Sequence, residues 1–139
     1  RPEPGAFRAK QQAMQKACDA AGISPRAIGV AEVYDAYAGA QLQALQALSL
    51  STSLDRDQRD GAFSSEGRCP INLSGGLMGQ GAPAGAIGVA QVATAARVLE
   101  GRYHDGMQPA ELPEYALADT HGGVCTTATV TILRRAAAL

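Results

Sequence analysis

The sequence is short of the features that would point to a partner at once. It has no charge excess: 12 Lys and Arg stand against 13 Asp and Glu, a formal charge of −1. A footprint for nucleic acid or an anionic membrane surface is therefore missing. No apolar run reaches the ~20 residues that cross a bilayer. The N-terminus has no basic segment leading into an apolar stretch, so no signal peptide is read. Cys18, Cys69 and Cys125 are odd in number and far apart, with no CxxC and no His/Cys pairing. That argues against both a disulfide framework and a zinc site, and makes a reducing cytoplasm the default. Internal repeats and low-complexity tracts are also lacking.

What is there is ordinary globular composition, 46% hydrophobic and 18% charged over 139 residues. That length makes one domain with a real core, 1–139, and not two. Residues 6–21 read as a helix with Phe7, Met14, Ala17, Cys18 and Ala21 near one face and Lys and Gln opposite. Gly22 is its stop, and Ser24-Pro25 opens a short helical turn. The β-branched run 27–36 reads as a buried strand. Residues 37–50 return to helical spacing through Leu42, Leu45 and Leu48. Residues 51–69, densest in charge from Asp55 to Asp60, read as a long surface loop. A helix over 84–99 carries Val89, Val92, Ala93, Ala96 and Leu99 on its apolar face. His104 falls in a polar connector and reads as exposed. "YALADTH" and "CTTATVTILRR" read as two strands around Gly122-Gly123; in the second, Thr127, Thr129 and Thr131 alternate with Ala128, Val130 and Ile132. The order predicts an α/β fold with helices packed on a mixed sheet.

Residues 72–101, "NLSGGLMGQGAPAGAIGVAQVATAARVLEG", place a glycine-rich loop directly before an amphipathic helix. Such a loop can turn backbone N–H groups toward a ligand, or it can simply turn the chain.

Three segments decide how that loop is read. "EVYDAYAGAQLQALQAL", "INLSGGLMGQGAPAGAIGVAQ" and "ADTHGGVCTTATVTIL" follow one another in this order. Together they resemble the C-terminal half of a thiolase, most closely the sterol-carrier/lipid-transfer-protein branch, which is acetyl-CoA acetyltransferase-like. The most specific element is N-x-S-G-G-L-x-x-x-G-x-P-x-G-A-x-G. The resemblance covers nearly the whole chain. It implies a layered αβα half that meets a similar N-terminal half, where the family keeps its nucleophilic cysteine, and a homodimer mate. The start at "RPEPG", without Met, fits the expectation of a piece of something larger. Such a half is not expected to carry out thiolysis alone. Acyl-CoA is the implied substrate, with no cofactor.

The resemblance also marks candidate site residues. Where the lipid-transfer branch shows His-Asp-x-Phe, this chain has Tyr34-Asp35-Ala36-Tyr37. The family histidine helps to bind the thioester oxygen. Tyr34 can donate one hydrogen bond but is not the same acid, with a reference pKa of ~10 against ~6.5. Branch relatives resembling retro-aldolases of steroid β-hydroxyacyl-CoA side chains also tend to carry Tyr here. The family's Gly-His-Pro is Gly81-Ala82-Pro83, so the loop is kept and its catalytic side chain is lost. In the third motif the glycine turn Gly122-Gly123 brings Asp119, Thr120 and His121 to the site. His121 reads as an acid or base or as a merely hydrogen-bonded residue; Asp119 orients it or is itself the base. Cys125 reads as a small buried residue entering the last strand, not a nucleophile. Asn72, Ser74, Gly75 and Gly76 read as loop residues that contact water or substrate, or as turn formers.

Two classes of function remain open. One is the C-terminal domain of a thiolase-like acyl-CoA enzyme in lipid or sterol side-chain metabolism. For it, retro-aldol cleavage fits the altered residues better than thiolysis, and a small OB-fold partner is implied. The other is a non-catalytic acyl-binding or interaction subunit with a degenerate site, which the Gly-Ala-Pro replacement favours.

Overall fold

The computed structural model describes residues 7–104, 106–123 and 125–137. α1 (Arg8–Ala21) is built mostly from Ala, Gln, Lys and Met, good helix formers. It stops where Gly22 takes a left-handed φ of 67° and its N–H reaches Asp19 O, with Ile23 N bonded to Cys18 O behind it. A 3-10 turn over Pro25–Ala27 then leads into β1 (Ile28–Glu32). Four helices follow before the next strand: α2 (Ala38–Ala47), α3 (Leu54–Arg59), α4 (Gly76–Gln80) and α5 (Ile87–Leu99). β2 (Tyr115–Gly122) and β3 (Thr127–Arg134) close the chain as a hairpin.

The sheet order is β1-β2-β3. β1 and β2 run parallel, with Glu32 opposite Ala118, and β2 and β3 run antiparallel from Tyr115↔Arg134 to Gly122↔Thr127. A single parallel bridge, Ala31↔Ile71, ties the glycine-rich segment to the free side of β1. The sheet is mixed, as the α/β reading requires.

Alternation along the strands separates two cores. One face meets α1 and α2 through Ile28, Ala31, Val33, Leu117 and the buried Met14, Cys18, Ala44, Leu45 and Leu48. The other meets α5 through Val30, Ala116, Leu73, Ala95, Val98 and Leu99. This is the layered αβα arrangement. Full burial of each of Leu45, Leu48 and Leu117 contributes roughly 1.5–3 kcal/mol.

Several sequence expectations need correction. On α1 the buried stripe is Lys10, Met14 and Cys18, while Ala21 is exposed. A lysine lies inward there because it finds a carboxylate. The expected start of α1 at Ala6 lies outside the described residues. β1 ends at Glu32, short of 36, because the next amides leave the ladder and bond to side chains: Val33 N to Asn72 and Tyr34 N to Asp119. On α2, Leu45 and Leu48 are buried but Leu42 is exposed, and the helix ends at Ala47, just before Ser49 takes a φ of 54°. The expected loop 51–69 holds α3 and plugs the core with Phe63 and Cys69. On α5, which begins at Ile87 and not at 84, the buried stripe is Ile87, Gln91, Ala95, Val98 and Leu99, and Val89 is 71% exposed. That helix is apolar on most sides, so periodicity alone did not fix its inward face. Gly88, whose added Cβ would touch Thr120 at 3.7 Å, shows how near α5 lies to β2. Cys125 is in the β2–β3 turn with a φ of 57°, half-buried, and not in the last strand. His104 is exposed, as read.

Candidate active site

Parallel strands end on the same edge of a sheet, and that edge is where open α/β sheets place their ligands. Here the edge gathers the chain after β1, the end of β2 and the glycine-rich loop.

The loop is held by two buried carboxylates. Glu32, 1% exposed at the end of β1, accepts the Ser74 hydroxyl and the Ser74 N–H at 3.2 Å. Ser74 Oγ in turn accepts from Gly76 N and Gln80 Nε2, both at 3.2 Å. Burial pushes the Glu32 carboxyl above the usual carboxylate range; the Ser74 hydrogen bonds oppose that rise and nearby Asp35 adds to it. Asp35, equally buried, accepts Leu77 N at 2.7 Å and so satisfies a free amide in the first turn of α4. Gly75 and Gly76 both have left-handed φ, 88° and 63°. Asn72, itself at φ 54°, donates its N–H to Ala31 O and accepts Val33 N at 2.7 Å through Oδ1. Its Nδ2 is buried with no partner among the described residues. Asn72 Oδ1, Ser74, Gly75 and Gly76 are thus engaged in shaping the loop. Gly81, Ala82 and Pro83 follow α4 as an exposed stretch, with Gly81 at φ 87°.

A second group stands on the opposite face of the sheet edge. The rings of Tyr34 and His121 pack with centroids 4.2 Å apart, and Phe7 lies 5.9 Å from His121 on another side. Asp119, two residues before His121 on the same face of β2, accepts Tyr34 N at 3.2 Å and forms a fully buried ion pair with Lys10 of α1. His121 Nδ1 and Asp119 Oδ1 are buried without partners among the described residues. Burial and the Lys10 charge hold the His121 imidazole below its ordinary value, against an upward pull from Asp119. Gly122 and Gly123 are exposed at the hairpin turn, where an added Cβ would lie 2.9 Å from Thr127 Oγ1 or 2.8 Å from Thr126 Oγ1. Burial raises the Cys125 thiol, which does not suit a nucleophile.

Of the four residues singled out for chemistry, the structure brings Tyr34, Asp119 and His121 together and turns Asp35 to the loop. Sequence reasoning missed Lys10 and Glu32. Glu32 left a trace, a lone acid inside an apolar strand; Lys10 left none, because it sits in a polar helix full of Lys and Gln. Among the described residues no group of His, Cys, Asp and Glu could hold a metal, and no helix is long and apolar enough to cross a membrane.

An αβα half with a polar cluster at the carboxyl ends of two parallel strands, and a serine-glycine loop locked beneath it, has the architecture of a thiolase-type domain. The family model described as thiolase C-terminal domain-like matches residues 1–135, and the chain belongs to that family. It is 30% identical over 106 residues to the benzoylsuccinyl-CoA thiolase subunit BbsB of Thauera aromatica, covering 75% of this chain and 27% of that protein. It is 32% identical over 125 residues to an acetyl-CoA acetyltransferase of Methanothermobacter thermautotrophicus, covering 88% and 32%. It is 34% identical over 101 residues to sterol carrier protein 2 of Homo sapiens, covering 68% and 18%. Among solved structures it is similar to the Ltp2-ChsH2(DUF35) aldolase, with a TM-score of 0.79 and 25% identity over 97% of this chain and 34% of that one. The chain spans about a third or less of the length of each of these proteins.

Proposed function

We propose that this domain is part of a thiolase-like enzyme that cleaves a β-hydroxyacyl-CoA by a retro-aldol reaction in lipid or sterol side-chain metabolism. The observation that carries this reading is the contact of Tyr34 with His121, both half-buried at the carboxyl ends of β1 and β2. A retro-aldol step needs one base and one oxyanion site. The base takes the proton of the β-hydroxyl, the Cα–Cβ bond breaks, a carbonyl product leaves, and the CoA enolate takes a proton at Cα. His121 is the proposed base, since an imidazole kept neutral by burial is ready to accept a proton. Tyr34 donates from its phenol to a substrate oxygen. Thiolysis fits less well, because Ala82 stands where the resembled motif has histidine. The similarity to a solved aldolase assembly supports the same choice.

The substrate is an acyl-CoA and no cofactor is called for. The partners proposed are an N-terminal thiolase half, a homodimer mate and a small OB-fold protein. Tyr37, Met78 and Val89, exposed apolar side chains near the site edge, give such partners a surface. The cytoplasm is the proposed compartment, consistent with three free cysteines.

The test is an assay of the full-length protein with β-hydroxyacyl-CoA and, separately, with β-ketoacyl-CoA plus CoA. Cleavage of the first that Tyr34→Phe abolishes supports the reading. Thiolysis of the second without cleavage of the first overturns it. Acyl-CoA that binds without turnover, and binds Tyr34→Phe equally well, supports instead a non-catalytic acyl-binding subunit, the reading that the exposed Gly81-Ala82-Pro83 stretch favours.

A further inference from the structure

α1 sends residues 10, 14 and 18 toward the sheet. Met14 and Cys18 join the apolar core, whereas Lys10 meets Asp119, and neither of those two charged side chains has any exposure. A buried ion pair is weak evidence of stabilisation, since a pair of well-packed apolar side chains usually does as well. What distinguishes this pair is what Asp119 does next. The same oxygen that meets Lys10 accepts Tyr34 N, and two residues along β2 His121 packs against the Tyr34 ring at 4.2 Å. Lys10 Nζ also stands 5.7 Å from the Phe7 ring, which borders His121.

We infer that Lys10 is a positioning residue of the site: its ammonium fixes Asp119, Asp119 holds Tyr34 against His121, and His121 is the group left to move a proton. This inference rests on the reading of Tyr34 and His121 given above. It also favours His121 over Asp119 as base, because Asp119 is fully buried and held as the ion-pair partner of Lys10, with Oδ2 accepting a backbone amide as well.

Among the described residues, the charges that act on His121 are Lys10 from α1 and Asp119 from β2. Tyr34 after β1 packs against its ring, and Cys125 in the β2–β3 turn feels the same two charges. Ala128, the β3 residue opposite His121, adds none. Removing the Lys10 charge must therefore ease protonation of His121, and removing the Asp119 charge must hinder it.

The experiment is an NMR titration of His121 in the full-length protein, with the resonance assigned by its loss in His121→Asn. Lys10→Met is expected to raise the His121 pKa, because it removes the nearby cation that opposes protonation. Lys10→Arg, which restores the cation, should return the wild-type curve, and Asp119→Asn should move the curve down. A His121 titration that stays put in Lys10→Met overturns the inference. If Lys10→Met does not fold, Asp119→Asn, equal in size, decides in the same way. These curves need no turnover. Shifts as expected in a protein that cleaves no β-hydroxyacyl-CoA would sink the proposed reaction alone, while unmoved curves in an active aldolase would sink the role of Lys10 alone.

Discussion

Gly76 lies against Asp35 with no room between them: a Cβ at Gly76 would fall 2.2 Å from Asp35 Oδ2. The backbone there also has a φ of 63°, which L side chains adopt only under strain. Gly76→Ala therefore meets strain and a clash with a buried carboxylate at once. The expected loss is about 2–5 kcal/mol, adding left-handed strain to overpacking. Gly79, three residues on in α4, has nothing within 4 Å of its added Cβ and no left-handed φ. Gly79→Ala should be neutral or gain about 0.5–1 kcal/mol. Urea midpoints of the two variants check this pair of predictions, and equal midpoints would refute the close approach.

Glu32 sets a second prediction. Its folded-state value is raised from 4.5, first by burial, with Ser74 opposing and Asp35 contributing. Tyr103, whose hydroxyl donates to Leu73 O, is another titratable group that feels its charge. A raised carboxyl means that the folded protein binds more protons than the unfolded chain above pH 4.5, so stability falls as pH climbs through the folded value. Glu32→Gln removes the titration and should flatten that part of the stability curve. Denaturation of both proteins from pH 4.5 upward measures it; an identical slope in the variant counts against a raised Glu32.

His121 has the opposite sign in effect. Its value is lowered from 6.5, chiefly by burial and then by Lys10. The folded protein binds fewer protons than the unfolded chain in the window just below 6.5, so its stability contribution is present above 6.5 and is lost as pH falls through the folded value. Under the proposed retro-aldol reading, the neutral base persists to lower pH than a free imidazole would. The acid limb of kcat/KM for β-hydroxyacyl-CoA cleavage should therefore fall below pH 6.5. His121→Asn should abolish the limb together with most of the rate, by about 10²–10⁴-fold. A limb at or above 6.5 would contradict the buried, Lys10-facing imidazole.

How far the sequence reached follows from which forces act locally. The strands and the main helices were readable because propensity and alternation are local. The end of β1 was not, since Val33 and Tyr34 leave the ladder for side chains 39 and 85 residues away in sequence. The loop's function was half readable. Asn72, Ser74 and the glycine pair announced a special turn, but only the fold reveals that Glu32 and Asp35 lie beneath it. Tyr34, Asp119 and His121 were traced by motif, and their meeting follows from the parallel β1–β2 pairing. Lys10 was invisible, because a lysine in a Lys- and Gln-rich helix reads as solvent-facing until its carboxylate is placed.

Gln91 carries the last prediction. It sits mid-helix on the inward stripe of α5, 1% exposed, and neither its amide oxygen nor its amide nitrogen has a partner among the described residues. Leaving such groups unpaired costs about 1–3 kcal/mol. Its neighbours on the stripe, Ile87, Ala95 and Val98, are apolar. If the amide does nothing else, Gln91→Met, close in size and shape, should stabilise the protein by roughly that amount, because it removes the desolvated groups and keeps the packing. If the amide instead binds an ordered water or a group supplied by the N-terminal half proposed above, the same change should cost stability. Thermal unfolding of Gln91→Met in the full-length protein separates the two. A higher midpoint with unchanged turnover makes Gln91 a tolerated defect of the α5–sheet interface. A lower midpoint, or a loss of turnover with the fold intact, makes it a polar contact that assembly completes.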